Sequence, residues 1–345
     1  MANIYARSPF IVKIAETTPT PQNGSKLELF LYNGSIVPPS PTYTLSKLIP
    51  SPTNITTLYD ISPYIREFIK FTSCSASGNF TLTPANEKVN VIIKKYRLNG
   101  STYTQVGSPL GYVAFDGYTY YEQGANFDLG NISLDAGTYY YDPTSDAGKI
   151  QFTNAGVQYR NLTTNTIVNT IAVASTTRDA RRVDTTLQQL GNKVEIVDSQ
   201  NVVLRTFIFK ALNECKYTPI IIDFVNRYGA WQREFFFKAS NDNFVVENTE
   251  YNLMQTDSFA FNISEGQRKT FNANGKKSIK VNTGWVDETW KEVLKQIMLS
   301  EKILIDSKPA KINSKGTELF KKINTKQINY SLEFEFAYDV INSVI

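Results

Sequence analysis

The sequence predicts a mainly β protein of antiparallel sandwich or barrel domains, with a C-terminal α+β piece in which one amphipathic helix packs on a sheet. Hydrophobic residues make up 41% of the 345 residues and charged residues 20%, which is a globular composition. The chain contains 20 Tyr and 21 Phe, and aromatic residues favour pleated, half-buried surfaces. Turn signals recur about every eight to twelve residues in the first half, a spacing typical of antiparallel sandwiches and barrels.

The first predicted region covers residues 1–180 and consists mostly of short strands. In Lys26–Tyr32, Leu27, Leu29 and Leu31 fall on one face and Glu28 on the opposite face, as in a half-buried strand. The other early strands are predicted at Tyr43–Ile49, Ile55–Ile61 and Val89–Tyr96. Ser62 followed by Pro63 is a helix-start signal, with Ser as the N-cap and Pro at the first helical position. A short helix is therefore expected at Tyr64–Ile69.

A Tyr-rich insertion within this region, residues 112–141, has two interpretations. Tyr is common on the exposed faces of sheets, and the insertion is then structural. Tyr also supplies rigid amphipathic contact area, and the insertion is then a platform for carbohydrate or a host surface. The sequence favours the sheet-face interpretation and leaves the other open.

The second predicted region covers residues 181–255, and its most informative segment is a polar break between two apolar strands. Strands are predicted at Asn192–Val197, Val202–Phe209, Pro219–Val225 and Trp231–Ala239. The break NRYGAW contains Gly229, which we expect to supply the backbone angle of a turn. Arg, Tyr and Trp are also enriched at protein interfaces. The candidate contact loop is therefore Asn226, Arg227, Tyr228 and Trp231, and a plain turn is the alternative.

The third predicted region, residues 256–345, combines one helix with strands. Asp287 is the predicted N-cap. The apolar stripe of the helix is predicted to be Trp290, Val293, Leu294 and Ile297. Its polar face is predicted to be Lys291, Glu292, Lys295 and Gln296. The last strand alternates Tyr330, Leu332, Phe334 and Phe336 with Ser331, Glu333 and Glu335. We therefore expect the helix to pack on a sheet.

Charge is distributed unevenly along the chain. The whole chain has a net charge of +4, whereas residues 265–326 contain 14 Lys and Arg against 7 Asp and Glu, a net charge of +7. A basic segment of this kind fits an acidic partner or a solvated surface rich in lysine, and the second interpretation is favoured. The small overall charge gives no reason to expect nucleic acid.

The sequence points to no catalytic residue, metal or cofactor. The chain has no His, which is the commonest general base and metal ligand. The motifs GxGxxG, GxxxxGK[ST] and GxSxG are absent. The carboxylates Asp116, Glu122 and Asp128 do not single out a pair for glycosidase chemistry. DPTSD, at residues 142–146, lacks the Gly and Glu of an EF-hand loop and is interpreted as a solvated turn.

Two further expectations concern the cysteines and the membrane. The chain contains only Cys74 and Cys215, and the sequence leaves their pairing open. The N-terminal segment has no apolar core of signal-peptide length, and no apolar run approaches membrane-spanning length. We therefore expect neither a signal peptide nor a membrane partner.

Three blocks of sequence together resemble a known class of proteins. They are SPTYTLSKL with YDISPYIREFI, then CKYTPIIIDFVNRYGAWQREFFFKAS, and finally the segment from KKSIKV to ILID with INYSLEFEFAYDVI. The set is similar to virion structural proteins of tailed phages that infect Bacteroidetes, including crAss-like phages. The last block is also similar to the end of tail and baseplate adaptor proteins, and here Met298, Leu299 and Ser300 form the helix end.

The resemblance implies a place in a virion rather than an activity. It implies a ring, collar, hub or baseplate protein of the tail that is assembled in the host cytoplasm. Its partners would be copies of itself in a symmetric assembly and other tail or portal-proximal proteins, with no small-molecule substrate. The alternative is an adhesin or tail fibre protein that binds host glycan through the Tyr-rich insertion.

Overall fold

The structure, a computed structural model, confirms a mainly β chain. It describes residues 2–15, 22–49, 55–71, 80–82, 87–145, 147–153, 155–171, 179–182, 192–253, 264, 266–314, 316 and 327–341. These residues form 23 strands and two short α-helices, and most strand pairs are antiparallel. None of the described helices is long and apolar enough to cross a membrane.

The chain forms two compact units. Unit 1 consists of Met1–Leu212 and Val225–Arg233, and unit 2 consists of Asn213–Phe224 and Glu234–Ile345. The predicted boundary at 255/256 lies outside the described residues, and the one at 180/181 lies in a short stretch between two segments that are also outside them. The division into regions 1–180, 181–255 and 256–345 therefore stays a prediction.

Unit 1 contains most of the strands. In chain order they are β1 Ala2–Tyr5, β2 Ile11–Ile14, β3 Gly24–Tyr32, β4 Tyr43–Leu48, β5 Thr57–Asp60, β6 Phe80–Leu82, β7 Lys88–Asn99, β8 Thr102–Gln105, β9 Leu110–Phe115, β10 Gly137–Tyr141, β11 Lys149–Phe152, β12 Gly156–Asn161, β13 Ile167–Ile171, β14 Asp179–Arg182, β15 Asn192–Val197 and β16 Val203–Ala211. The largest sheet of unit 1 has the order β1-β9-β7-β3-β4, with β8 paired to β7. A second sheet has the order β10-β16-β15-β12-β13. The β1–β9 and β10–β16 pairs are parallel.

The core of unit 1 lies against the largest sheet. Leu27, Leu29 and Leu31, which the sequence places on one face of β3, are all buried there. They pack with apolar residues from β1, β2, β7 and β9 and from the helix Ser62–Phe68. The alternation in the sequence therefore identified a genuine core face.

Helix α1, Ser62–Phe68, starts earlier than the sequence indicates, and the prediction of Ser62 as its N-cap is wrong. Ile61 occupies the N-cap position. The Ser62 hydroxyl instead donates to the Ser8 carbonyl and accepts from the Phe10 amide. Ser62 is therefore used for a tertiary contact with the N-terminal segment, while Pro63 still sits in the first turn, as expected.

The Tyr-rich insertion is more deeply packed than a sheet face exposed to solvent. Tyr118, Tyr139 and Tyr141 are buried, and Tyr121 is exposed. In β10 the ring of Tyr139 stacks on Phe209 at 5.5 Å between centroids, and its hydroxyl donates to the Asp135 carbonyl at 2.6 Å. The interpretation as an exposed sheet face is wrong for these three tyrosines, because all three are buried. For Tyr139, the parallel neighbour β16 supplies the aromatic contacts Phe207 and Phe209.

The described residues of unit 2 form one large sheet and one α-helix. Its strands are β17 Ile220–Val225, β18 Trp231–Phe236, β19 Asn241–Asn252, β20 Arg268–Asp287, β21 Ile303–Ile305, β22 Lys308–Ile312 and β23 Gln327–Phe336, and its helix is α2 Lys291–Leu299. The sheet order is β18-β17-β21-β22-β23-β20-β19. Val225 and Trp231–Arg233, at the turn between β17 and β18, are assigned to unit 1.

Helix α2 packs on this sheet through the predicted stripe. Val293, Leu294 and Ile297 are buried, and Trp290, in the single 3-10 turn that precedes the helix, is buried against Phe236 and Tyr330. Two details differ from prediction. Gln296 is buried rather than solvated. Asp287 occupies the N-cap of the 3-10 turn, but its side chain makes no capping hydrogen bond.

Leu294→Ala is expected to lower the free energy of unfolding by about 2–5 kcal/mol, because it leaves a cavity where the side chain is fully buried. Lys295→Ala is the matched control. Its ammonium group pairs with Glu292 at a half-exposed position, so its loss should cost less than about 0.5 kcal/mol. Urea unfolding of both variants measures the difference, and equal losses would contradict the assigned helix face.

Candidate protein-contact sites

The turn between β17 and β18 is held by the side chain of Asn226. Its Oδ1 accepts hydrogen bonds from the amides of Tyr228 and Ala230, at 3.0 and 3.3 Å. Its Nδ2 donates to the Ser133 carbonyl and to Gln232 Oε1. All four bonds form at a buried residue, so Asn226 organises the turn and anchors it in unit 1.

Gly229 has the backbone angle that the sequence indicates. Its φ is +66°, in the left-handed region where glycine is favoured. A Cβ atom there would also lie 2.9 Å from the amide nitrogens of Asp116 and Gly117. On the other side of the contact, the Tyr118 amide donates to the Arg227 carbonyl at 2.7 Å, and a side chain at Gly117 would overlap that carbonyl. Two glycines therefore allow backbone to pack directly on backbone.

Next to this contact, the carboxylate of Asp135 forms hydrogen bonds with two side chains of the turn. Asp135 Oδ1 accepts from Arg227 Nη2 and from the Tyr228 hydroxyl, both at 2.7 Å. Arg205 Nη1 donates to the same hydroxyl at 3.3 Å. The Tyr228 ring is fully buried with Tyr5 and Phe115. Burial first, and then the Asp135 carboxylate, raise the pKa of the Tyr228 phenol, and Arg227 offsets part of this effect.

Trp231 also faces the interior of unit 1. Its ring is buried and meets Phe71 edge-on, with 5.8 Å between the centroids. Asn226 and Tyr228 are buried as well, and Arg227 retains only 22% of its side-chain exposure. Asn226, Arg227, Tyr228 and Trp231 thus pack within unit 1. A role of the turn in contacting other proteins stays a prediction.

The other residues singled out in the sequence are separate from this turn. Asp116 pairs with Arg66, and Asp128 accepts from Asn3 and from the Gly130 amide. Asp142 accepts from the Thr144 amide and hydroxyl, as in a simple turn, and Asp146 lies outside the described residues. Cys215 is an exposed thiol, and Cys74 also lies outside the described residues. In the described part of the chain, no group of three or more Cys, Asp or Glu is placed to hold a metal ion.

A long exposed hairpin in unit 2, which the sequence analysis missed, presents a different surface. We call it the arm, and it consists of β19 with the part of β20 that pairs with it, Arg268–Lys280. All twelve residues of β19 are exposed, so neither face of this strand is covered. Twelve residues of strand extend for roughly 40 Å. An isolated two-stranded hairpin is marginally stable in water, so such a surface is suited to a partner.

Large apolar side chains are exposed along the arm. They are Phe244, Val245, Val246, Tyr251 and Phe271. Phe271 is 63% exposed and Val246 58%. Tyr251 and Phe271 meet edge-on at 6.4 Å, and the Phe244 ring lies over Gly275. Exposed apolar residues that form a continuous run mark protein-contact surfaces more often than scattered ones do.

A β-bulge in the same strand exposes one tryptophan. The register between β20 and β23 shifts between Asn282 and Trp285, and Gly284 there has a φ of +76°. Val281 and Thr283 are buried, so unbroken alternation would turn Trp285 inward. The bulge instead leaves Trp285 64% exposed. Bulges commonly re-aim a side chain in this way, and Trp is frequent among residues that dominate interface energetics.

Comparison with known proteins adds no family to this description. No protein-family model matches the chain, and no curated protein is significantly similar to it.

Gly229→Ala is expected to destabilise unit 1 by about 2–4 kcal/mol, because it combines an unfavourable backbone angle with overlap against Asp116 and Gly117. Gly100→Ala is the control, since Gly100 has a φ of +61° but no atom within 4 Å of the added Cβ. Thermal unfolding of both variants separates the destabilisation caused by the backbone angle from that caused by the overlap. Equal shifts would show that the backbone contact contributes nothing.

Tyr228→Phe is expected to lower the free energy of unfolding by about 1–2 kcal/mol at neutral pH, since it removes the hydroxyl shared by Asp135 and Arg205. The pKa of the folded phenol is raised above 10.0, so the unfolded state loses its proton first as the pH rises. The advantage of the native residue should therefore shrink above about pH 10. Denaturant unfolding between neutral pH and pH 11 measures this, and a constant difference would contradict it.

Proposed function

We propose that the chain is a structural component of a phage virion tail, as a ring, collar, hub or baseplate protein. In this role it assembles through contacts with copies of itself and with other tail or portal-proximal proteins. The observation that carries the proposal is the arm, whose strand β19 is exposed on both faces and bears large apolar side chains. Surfaces of this kind become stable when another chain covers them.

The sequence resemblance supports the same role. Its last block contains helix α2 and strands β21 and β23, and its middle block contains the turn anchored by Asn226. In both places the side chains pack and form hydrogen bonds, as expected of residues that maintain a shape. The proposal assigns the chain no catalytic step, cofactor or small-molecule substrate, and it places the protein in the virion after assembly in the host cytoplasm.

The alternative, a host-glycan adhesin, depends on the Tyr-rich insertion. A glycan platform needs exposed aromatic rings, whereas Tyr118, Tyr139 and Tyr141 are buried. Tyr121 is the tyrosine of residues 112–141 with a large exposed area among the described residues. The insertion therefore supports the adhesin less well than the arm supports assembly.

Cryo-electron microscopy of purified virions, with an antibody against the chain as a marker, tests the proposal. We expect density for several symmetry-related copies in the tail or at the portal-proximal collar, because ring and hub proteins use repeated heterologous contacts. Capsids that lack both the tail and the collar are the control and should lack the antibody signal. Absence of the chain from intact virions, or a single isolated copy, would contradict the proposal.

A further inference from the structure

Among the described residues, the arm has two open strand edges. No described strand pairs with the outer edge of β19, which ends the seven-stranded sheet. On the opposite side of the arm, β23 pairs with β20 only from Ser278 onward, and the Val340 amide donates to the Gly275 carbonyl. In the described part of the chain, Arg268–Ala273 therefore has no strand neighbour other than β19. Open edges on both sides allow the ribbon to be extended in both directions.

The two strands of the arm carry opposite charges. Strand β19 contains three acidic residues and no basic residue: Asp242, Glu247 and Glu250. The paired part of β20 contains five basic residues and no acidic residue: Arg268, Lys269, Lys276, Lys277 and Lys280. Within the ribbon, Glu247 and Lys276 already form an ion pair at 2.9 Å. One edge of the arm thus presents an acidic strand and the other a basic strand.

We propose that the acidic β19 edge of one copy pairs antiparallel with the basic Arg268–Ala273 edge of a second copy. This inference rests on the proposed function, because it specifies how copies in a symmetric assembly contact each other. In a ring, rotation about one axis points all arms the same way along that axis. Each β19 then runs opposite to the β20 of the next copy, as it does to its own β20.

Charge selects this contact over pairing of two identical edges. Two β19 strands placed side by side would bring acidic residues together, and β19 itself contains no basic residue. Like charges on adjacent strands are destabilising. Pairing β19 with the Arg268–Ala273 edge instead brings the acidic strand of one copy beside Arg268 and Lys269 of the next. Because the two paired surfaces differ, the contact is heterologous and generates a ring when the rotation closes.

The apolar side chains of the arm favour the same arrangement. Tyr251 and Phe271 lie in the distal part of the ribbon, where the open β20 edge is found. An adjacent arm would place side chains of the next copy at the cross-strand distance of about 5 Å from them. The contact therefore covers apolar surface that is exposed in the single chain, and it also satisfies backbone groups along both edges.

Complementary charge reversal tests the proposal. The acid-edge variant carries Glu247→Lys with Glu250→Lys, and the basic-edge variant carries Arg268→Glu with Lys269→Glu. Wild-type protein should self-associate at low salt, and each variant alone should associate at least about tenfold more weakly, because its two edges now have the same sign. An equimolar mixture should associate again in alternating order. Mass photometry and sedimentation velocity measure the oligomers.

Controls separate folding from assembly. Lys311→Glu, on an exposed part of β22 in the same unit, should leave association unchanged. Circular dichroism checks each variant, and a thiol cross-link provides a measurement without charge reversal. For the cross-link, Glu250→Cys protein is mixed with Arg268→Cys protein, both in a background with Cys74→Ser and Cys215→Ser, and a short bifunctional reagent should join the two kinds of chain.

Two results would overturn the proposal. They are monomeric wild-type protein at all concentrations, or a mixture that neither associates nor cross-links. These outcomes differ from failure of the proposed function. If virions contain several copies of the chain but the arm variants associate as wild-type protein does, the proposed role in the tail stands and the arm contact is wrong. If the chain is absent from virions but forms rings that depend on the arm, the arm contact stands and the proposed role in the tail is wrong.

Discussion

Unit 1 depends on a backbone-to-backbone contact between the turn after β17 and the segment after β9. Gly229 and Gly117 leave no Cβ atom in the way, so the Tyr118 amide reaches the Arg227 carbonyl. This contact lets the turn enter the interior, where Asn226 satisfies its polar groups. Burial of Tyr228 and its bond to Asp135 follow from that position. A single added methyl group at either glycine would separate the two segments.

The arm, in contrast to the buried turn after β17, is largely exposed to solvent. Its strand β19 has no covered face, and its side chains are exposed throughout. The turn after β17 places Arg, Tyr and Trp where its own unit uses them, whereas the arm leaves Phe, Val and Tyr in solvent. Residue types enriched at interfaces are thus a poor guide by themselves. Their burial within the chain decides whether they remain available to a partner.

The sequence predicted the features that depend on local periodicity or on one special residue. The stripe of α2, the leucines of β3 and the angle at Gly229 are of this kind. It failed where a distant strand determines the environment. Tyr139 is buried because β16 lies beside it, and Ser62 bonds to Ser8 rather than capping its helix. The arm was missed because its central residues lack clean alternation, and Phe244, Val245 and Val246 are all exposed.

Strand β20 gives the arm a mechanical property. It is 20 residues long and first forms one side of the arm. It lies between β19 and β23 at Ser278–Lys280 and then continues along β23 to Asp287, through the bulge between Asn282 and Trp285. A pull along the arm is therefore directed along this strand and into its ladder with β23, from Ser278 to Asp287. A force directed along the strands loads all hydrogen bonds of the ladder at once. A force perpendicular to the strands breaks them one by one. The hairpin is thus built to resist tension by shear rather than to peel away.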